Sequence, residues 1–116
     1  MTGYRLSRRA ARSLEQIFGW TLDHFGRDQA VSYKDDLKNR LQALDAGVPP
    51  HGRSCGLLVA GSHDVADLMF YREGRHFIIY RSTDDGLFVI DFIHGARDLE
   101  SLLQALVATG PTDDEA

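Results

Sequence analysis

Three observations predict an α+β domain. Tyr4, Arg5 and Leu6 alternate between apolar and polar, as a short opening strand does. Two long helical periodicities follow, separated by only three residues. Three consecutive strand patterns then run through LMFYREG, RHFIIYRSTDDG and LFVIDFIHGARD between residues 68 and 98. The predicted order is an N-terminal strand, an antiparallel helical hairpin, a three-stranded antiparallel meander and a short C-terminal helix.

Each element has a local justification. Ser7 is placed to cap a helix over residues 8–25, whose apolar positions Ala10, Leu14, Ile17, Phe18, Thr21, Leu22 and Phe25 recur at helical spacing. Gly26 supplies its exit. Asp28 is placed to cap a second helix with an inner face of Ala30, Tyr33, Leu37, Leu41 and Leu44, stopped by Gly47 and the Pro49-Pro50 pair. So short a connection forces the helices antiparallel. Residues 47–66 hold no lasting period and read as a long connection with a short strand near 57–59. Glu73-Gly74 and residues 83–86 mark hairpin turns, with Gly86 at the position needing positive φ.

Simple alternation along the last strand puts Phe88, Ile90, Phe92 and His94 on one face and Leu87, Val89, Asp91 and Ile93 on the other. Both faces are apolar, and one helical hairpin covers only one of them, so the second requires a C-terminal segment or a partner. Asp98 is placed to cap a third helix carrying Leu99, Leu102, Leu103, Leu106 and Val107. The expected organisation is one domain over residues 1–109 and an acidic, disordered tail over 110–116.

With 116 residues the chain suits a single core. Its net charge of −4 argues against a protein whose affinity comes from a phosphate backbone. Charge is uneven: residues 1–53 carry nine basic and six acidic side chains, whereas 54–116 carry four and eleven. Cys55 is the single cysteine, so an internal disulfide is excluded. The N-terminus lacks the apolar stretch of a signal peptide, and no apolar run reaches the roughly 20 residues that span a bilayer. A soluble cytoplasmic protein without membrane contact is expected.

Six short motifs then fall in a telling order: Tyr-Arg-Leu-Ser-Arg-Arg-Ala at 4–10, Phe-Gly-Arg-Asp-Gln-Ala at 25–30, Gly-Ser-His at 61–63, Phe-Tyr-Arg at 70–72, Ile-Tyr-Arg at 79–81 and Ile-His-Gly-Ala-Arg-Asp at 93–98. In this order and spacing the chain resembles the ParE toxins of the ParE/RelE superfamily. The resemblance implies the toxin of a type II toxin-antitoxin pair, neutralised by a ParD-like antitoxin encoded beside it. The ParE branch implies binding to DNA gyrase and stalling of its cleavage complex, with no cofactor and no sequence-specific nucleic acid binding. The RelE branch implies ribosome-dependent mRNA cleavage, and a relative that only binds its partner is a third reading.

Cleavage by a ribose 2′-hydroxyl needs a base, an acid and positive charge on the pentavalent phosphate. Arg72, Arg81 and His94 are the candidates for that chemistry. Asp91 stands where the superfamily's ribonucleases place an arginine, Gly95 follows His94 where they often place an aromatic, and no lysine lies beyond Lys38. These departures favour the non-enzymatic branch. For partner binding the candidates are Arg5, Arg8 and Arg12 as a basic cluster, Trp20 as an aromatic anchor off the main apolar stripe, Leu87, Val89 and Ile93 on the second sheet face, and Arg97 at the corner. His63, Asp64, Asp67 and His76 match no tight ligand spacing, so no metal site is expected.

Overall fold

In the computed structural model, which describes residues 3–55 and 68–95, the chain runs β1 (Tyr4–Leu6), α1 (Arg8–Phe25), α2 (Arg27–Ala46), β2 (Arg53–Ser54), β3 (Met69–Glu73), β4 (His76–Thr83) and β5 (Gly86–His94). The expected α+β architecture is present. The strand expected near 57–59, the third helix, Arg97 and the acidic tail lie outside the described residues.

The helices form as their caps dictate. Ser7 accepts a hydrogen bond from the Ala10 N–H at 2.9 Å and donates to the Ile90 carbonyl at 2.6 Å, so one buried hydroxyl starts α1 and ties it to β5. Ser7→Ala removes the cap and strands a buried carbonyl; a loss of about 2 kcal/mol in urea unfolding is expected. The α1–α2 link is tighter than the sequence suggests. Gly26 alone separates the helices, with φ of 88°, a conformation that side chains disfavour. Its N–H bonds the Leu22 carbonyl and its own carbonyl accepts from Ala30 N–H, so Gly26 and not Asp28 occupies the cap position of α2. Asp28 instead sits in the first turn, where a carboxylate suits the helix dipole.

The sheet is mixed, in the order β1-β5-β4-β3-β2. β1 lies parallel to β5, pairing Tyr4 with Leu87 and Leu6 with Val89, and the remaining neighbours are antiparallel. At the β4–β5 turn Gly86 has φ of 122°, and a Cβ there would collide with the Gly3 carbonyl oxygen, so β1 can close against β5 only over a glycine.

The faces of β5 differ from simple alternation. Ile79 pairs with Asp91 while Tyr80 pairs with Val89, so β5 carries one extra residue, a bulge at Ile90. Beyond it the faces exchange. Leu87, Val89 and Phe92 pack with Ala10, Leu37, Leu41, Ile78 and Tyr80 beneath the helical hairpin. Phe88, Ile90 and Ile93 pack on the other side with Cys55, Leu68 and Ile79. Both clusters are buried within the single chain. Leu87 and Val89 are therefore core residues under the helices, and Ile93 is 7% exposed, which corrects their assignment as a partner-binding face.

Candidate functional site

A groove of about 930 Å³ opens between α1, the end of β5 and the β3–β4 turn. Its first wall is one face of α1: Arg9, Ser13, Gln16, Ile17 and Trp20 are spaced by four, three, one and three residues, which a 3.6-residue period places in line. The second wall is β5 from Asp91 to His94. Among the described residues β1 pairs β5 only as far as Val89, and beyond it Asp91 of β5 meets Ser13 of α1. The third wall is the hairpin turn, with Gly74, Arg75 and His76 beside Tyr33 of α2.

The bulge aims Asp91 at α1. One carboxylate oxygen accepts from the Ser13 hydroxyl at 2.6 Å and from the Phe92 N–H at 2.8 Å. Asp91 thereby anchors α1 to the strand and places a carboxylate in the groove wall.

Tyr33 holds the turn. Its hydroxyl accepts from the Arg75 N–H at 3.0 Å, donates to the Glu73 carbonyl at 3.0 Å and lies 2.7 Å from His76 Nδ1. A phenol has one proton, and the Glu73 carbonyl can only accept. His76 Nδ1–H is thus the donor toward Tyr33, which leaves Nε2 with the lone pair. Burial raises the Tyr33 phenol above its ordinary pKa. Burial, with His94 and Arg75 adding positive charge, pulls His76 down from 6.5 to about 4, so the ring is neutral at pH 7. His94 lies edge-on to His76, 5.1 Å away. Glu73 is engaged by Arg40 at 3.1 Å.

At the outer end Trp20 and Phe25 are 45% and 51% exposed. The His24 ring stacks on Trp20 at 4.0 Å, its Nδ1 bonding the Trp20 carbonyl at 2.8 Å. The Arg75 guanidinium lies 4.9 Å from the Phe25 ring centre and 5.8 Å from that of Trp20.

The three residues considered for RNA cleavage are not gathered here. Arg72 pairs with Phe77 and Arg81 with Phe88, both on the face away from the helices, and positions 77 and 81 stand roughly 13 Å apart along β4. His94 pairs with His76 on the opposite, helix-facing side. Of the basic cluster, Arg8 and Arg12 are exposed on α1, while Arg5 stacks on Phe88, its guanidinium carbon 5.0 Å from the ring centre. Trp20 lines the groove as an exposed aromatic, where its position off the apolar stripe pointed. Ser13 and Tyr33 were missed, although Ser13 shares with Arg9 and Trp20 a readable stripe on α1. Arg75 and His76 carry no such signal, because residues at a hairpin turn read as ordinary surface. Among the described residues no group of three or more His, Cys, Asp or Glu is arranged to hold a metal.

Fold and groove together define a class: a small α+β domain that presents a mixed aromatic and polar groove. The family model for the ParE toxin of the type II toxin-antitoxin system parDE matches residues 4–99. Toxin ParE1 of Mycobacterium tuberculosis, in strains CDC 1551 / Oshkosh and ATCC 25618 / H37Rv, is 31% identical over 98 residues, covering 84% of this chain and 93% of the relative. A solved chain from the chromosomal ParDE toxin-antitoxin system of P. aeruginosa superimposes with a TM-score of 0.61 at 15% identity, covering 81% of this chain and 96% of that one. At that identity the last likeness bears on the fold alone. The chain belongs to the ParE toxin family of type II toxin-antitoxin systems.

Proposed function

We propose that this protein is a gyrase-directed toxin. It binds DNA gyrase in the cytoplasm, stalls the cleavage complex, and is held inactive by a ParD-like antitoxin encoded beside it. The observation that carries this reading is the family match across residues 4–99, joined by 31% identity to Toxin ParE1 over 84% of the chain. Gyrase as the target follows from the ParE branch of the superfamily.

The geometry of the candidate residues supports a non-enzymatic inhibitor over an RNA endonuclease. Acid and charge must converge on one phosphate, and Arg81 and His94 lie on opposite faces of the sheet. Asp91 adds a carboxylate beside His94, where it repels a phosphate.

The test is plasmid supercoiling by purified gyrase with increasing amounts of the folded protein. Loss of supercoiling with protein-linked linear DNA, reversed by the antitoxin, is expected. Unimpeded supercoiling would overturn the gyrase reading, and mRNA cleavage on stalled ribosomes would then place the protein with the RelE branch.

A further inference from the structure

We propose that the α1–β5 groove takes a segment of the antitoxin in which a carboxylate stands beside a large apolar side chain, the carboxylate pairing with the Arg75 guanidinium. The inference rests on the toxin-antitoxin reading above and adds to it the chemistry of recognition.

Arg75 carries the argument. Among the described residues it makes no ion pair, and of the carboxylates in the groove wall Glu73 is engaged by Arg40 and Asp91 by the Ser13 hydroxyl and the Phe92 N–H. An arginine at a two-residue hairpin turn ordinarily trails into water. Here the Trp20 and Phe25 rings both lie within cation–π range of its guanidinium, and its backbone N–H is fixed on Tyr33. A ring face attracts the charge without taking up the guanidinium's N–H donors in conventional hydrogen bonds, so those donors serve a partner. A cation already ordered loses less entropy on pairing, and a guanidinium meets a carboxylate with two parallel hydrogen bonds.

The apolar half of the requirement comes from the same walls. Trp20 and Phe25 are large exposed aromatics flanking the arginine, and Ile17 and Phe92 line the interior. Aromatic residues and arginine together are the side chains that dominate binding energy at protein interfaces. A nucleic acid fits poorly. It would bring successive phosphates into a groove that also contains Asp36, Glu73 and Asp91, on a chain of net charge −4. One ordered cation set among aromatics suits one carboxylate flanked by hydrocarbon.

The test measures binding of the full-length protein to the product of the adjacent antitoxin gene by calorimetry, at low and high salt. The variants are Arg75→Glu, Arg75→Lys and Trp20→Ala, with thermal melts to confirm folding. Arg75→Glu is expected to weaken binding by ~30-fold or more, and Arg75→Lys by less, because lysine keeps the charge but not the bidentate geometry. Trp20→Ala weakens binding with little change in its salt dependence. Wild-type binding with all three variants unchanged overturns this inference and leaves the toxin-antitoxin reading standing. Absence of any wild-type complex removes both. If Arg75→Glu instead abolishes binding to a short DNA duplex while antitoxin affinity is unchanged, the cation serves a phosphate and the inference is overturned.

Discussion

Replacing Leu37 by alanine is expected to destabilise the protein by about 3–4 kcal/mol, the cost of deleting a fully buried leucine that neighbours cannot replace. Leu37 is 0% exposed and lies in the cluster that joins α2 to the sheet through Ile78, Tyr80 and Val89 and to α1 through Ala10. Three elements meet there, so none can move into the vacated space without losing contact with another. The helices depend on this contact more than on intrinsic propensity, because isolated helices of this length are marginal in water. A domain of this size has a total stability of about 5–15 kcal/mol, so the variant gives up between about a fifth and four-fifths of it. Urea titration followed by circular dichroism measures it, with the midpoint falling and the slope unchanged. A loss below about 1 kcal/mol would show that the site collapses freely and that α2 is not held by this cluster.

The second large effect is on pH dependence. His76 is 8% exposed and its pKa falls from 6.5 to about 4 in the folded chain, through burial first and then through His94 and Arg75. Below pH 6.5 the unfolded chain binds a proton that the folded chain refuses, so stability is fully present above that pH and declines as the pH falls toward 4. The full contribution is about 3 kcal/mol. The groups facing His76 are Tyr33 from α2, Glu73 and Arg75 at the turn, and His94 from β5. Comparison of wild type with His76→Gln isolates the histidine. The wild type is expected to lose stability more steeply between about pH 6.5 and pH 4, so that the gap between the two curves narrows on acidification. Parallel curves would show that His76 takes up its proton equally in the folded and unfolded chains. The same acidification would loosen the turn that carries Arg75, because the hydrogen-bond pattern around the Tyr33 hydroxyl assumes a neutral ring.

Much of the fold was legible because its signals are local. The span of α1 follows from Ser7, the apolar period and Gly26, all within one segment, and the structure places that helix at Arg8–Phe25 as read. The two turn glycines located the hairpins for the same reason. The misreadings share a different cause. Asp28 offered a capping side chain, but Gly26 could leave one helix and enter the next through a single positive φ, which made the longer link unnecessary. The faces of β5 were exchanged beyond Ile90 because a bulge is a property of two paired strands, and alternation counted along one strand cannot detect it. That single inserted residue set Phe92 beside Leu87 and Val89 and Ile93 beside Phe88 and Ile90, while the helical hairpin, packed on the Leu87 and Val89 face, took those two out of the proposed partner surface.

The candidate site shows the same division. Trp20 was found from its own helix, where an aromatic off the apolar stripe stands out against a period of 3.6 residues. Arg75 and His76 were not, since their roles come from Tyr33, some forty residues earlier, and from aromatics at the far end of α1.

By itself, then, the amino-acid order determined the class of fold, the extents of α1 and the hairpins, and the family, because capping, periodicity, turn chemistry and motif order are written within short stretches of chain. The tertiary structure decided the parallel seating of β1 on β5, the register beyond the bulge, and the groove that gathers Arg9, Trp20, Asp91 and Arg75. Those depend on which strand ends first and which side chains meet across it, and such pairings form only when segments distant in sequence are packed against one another.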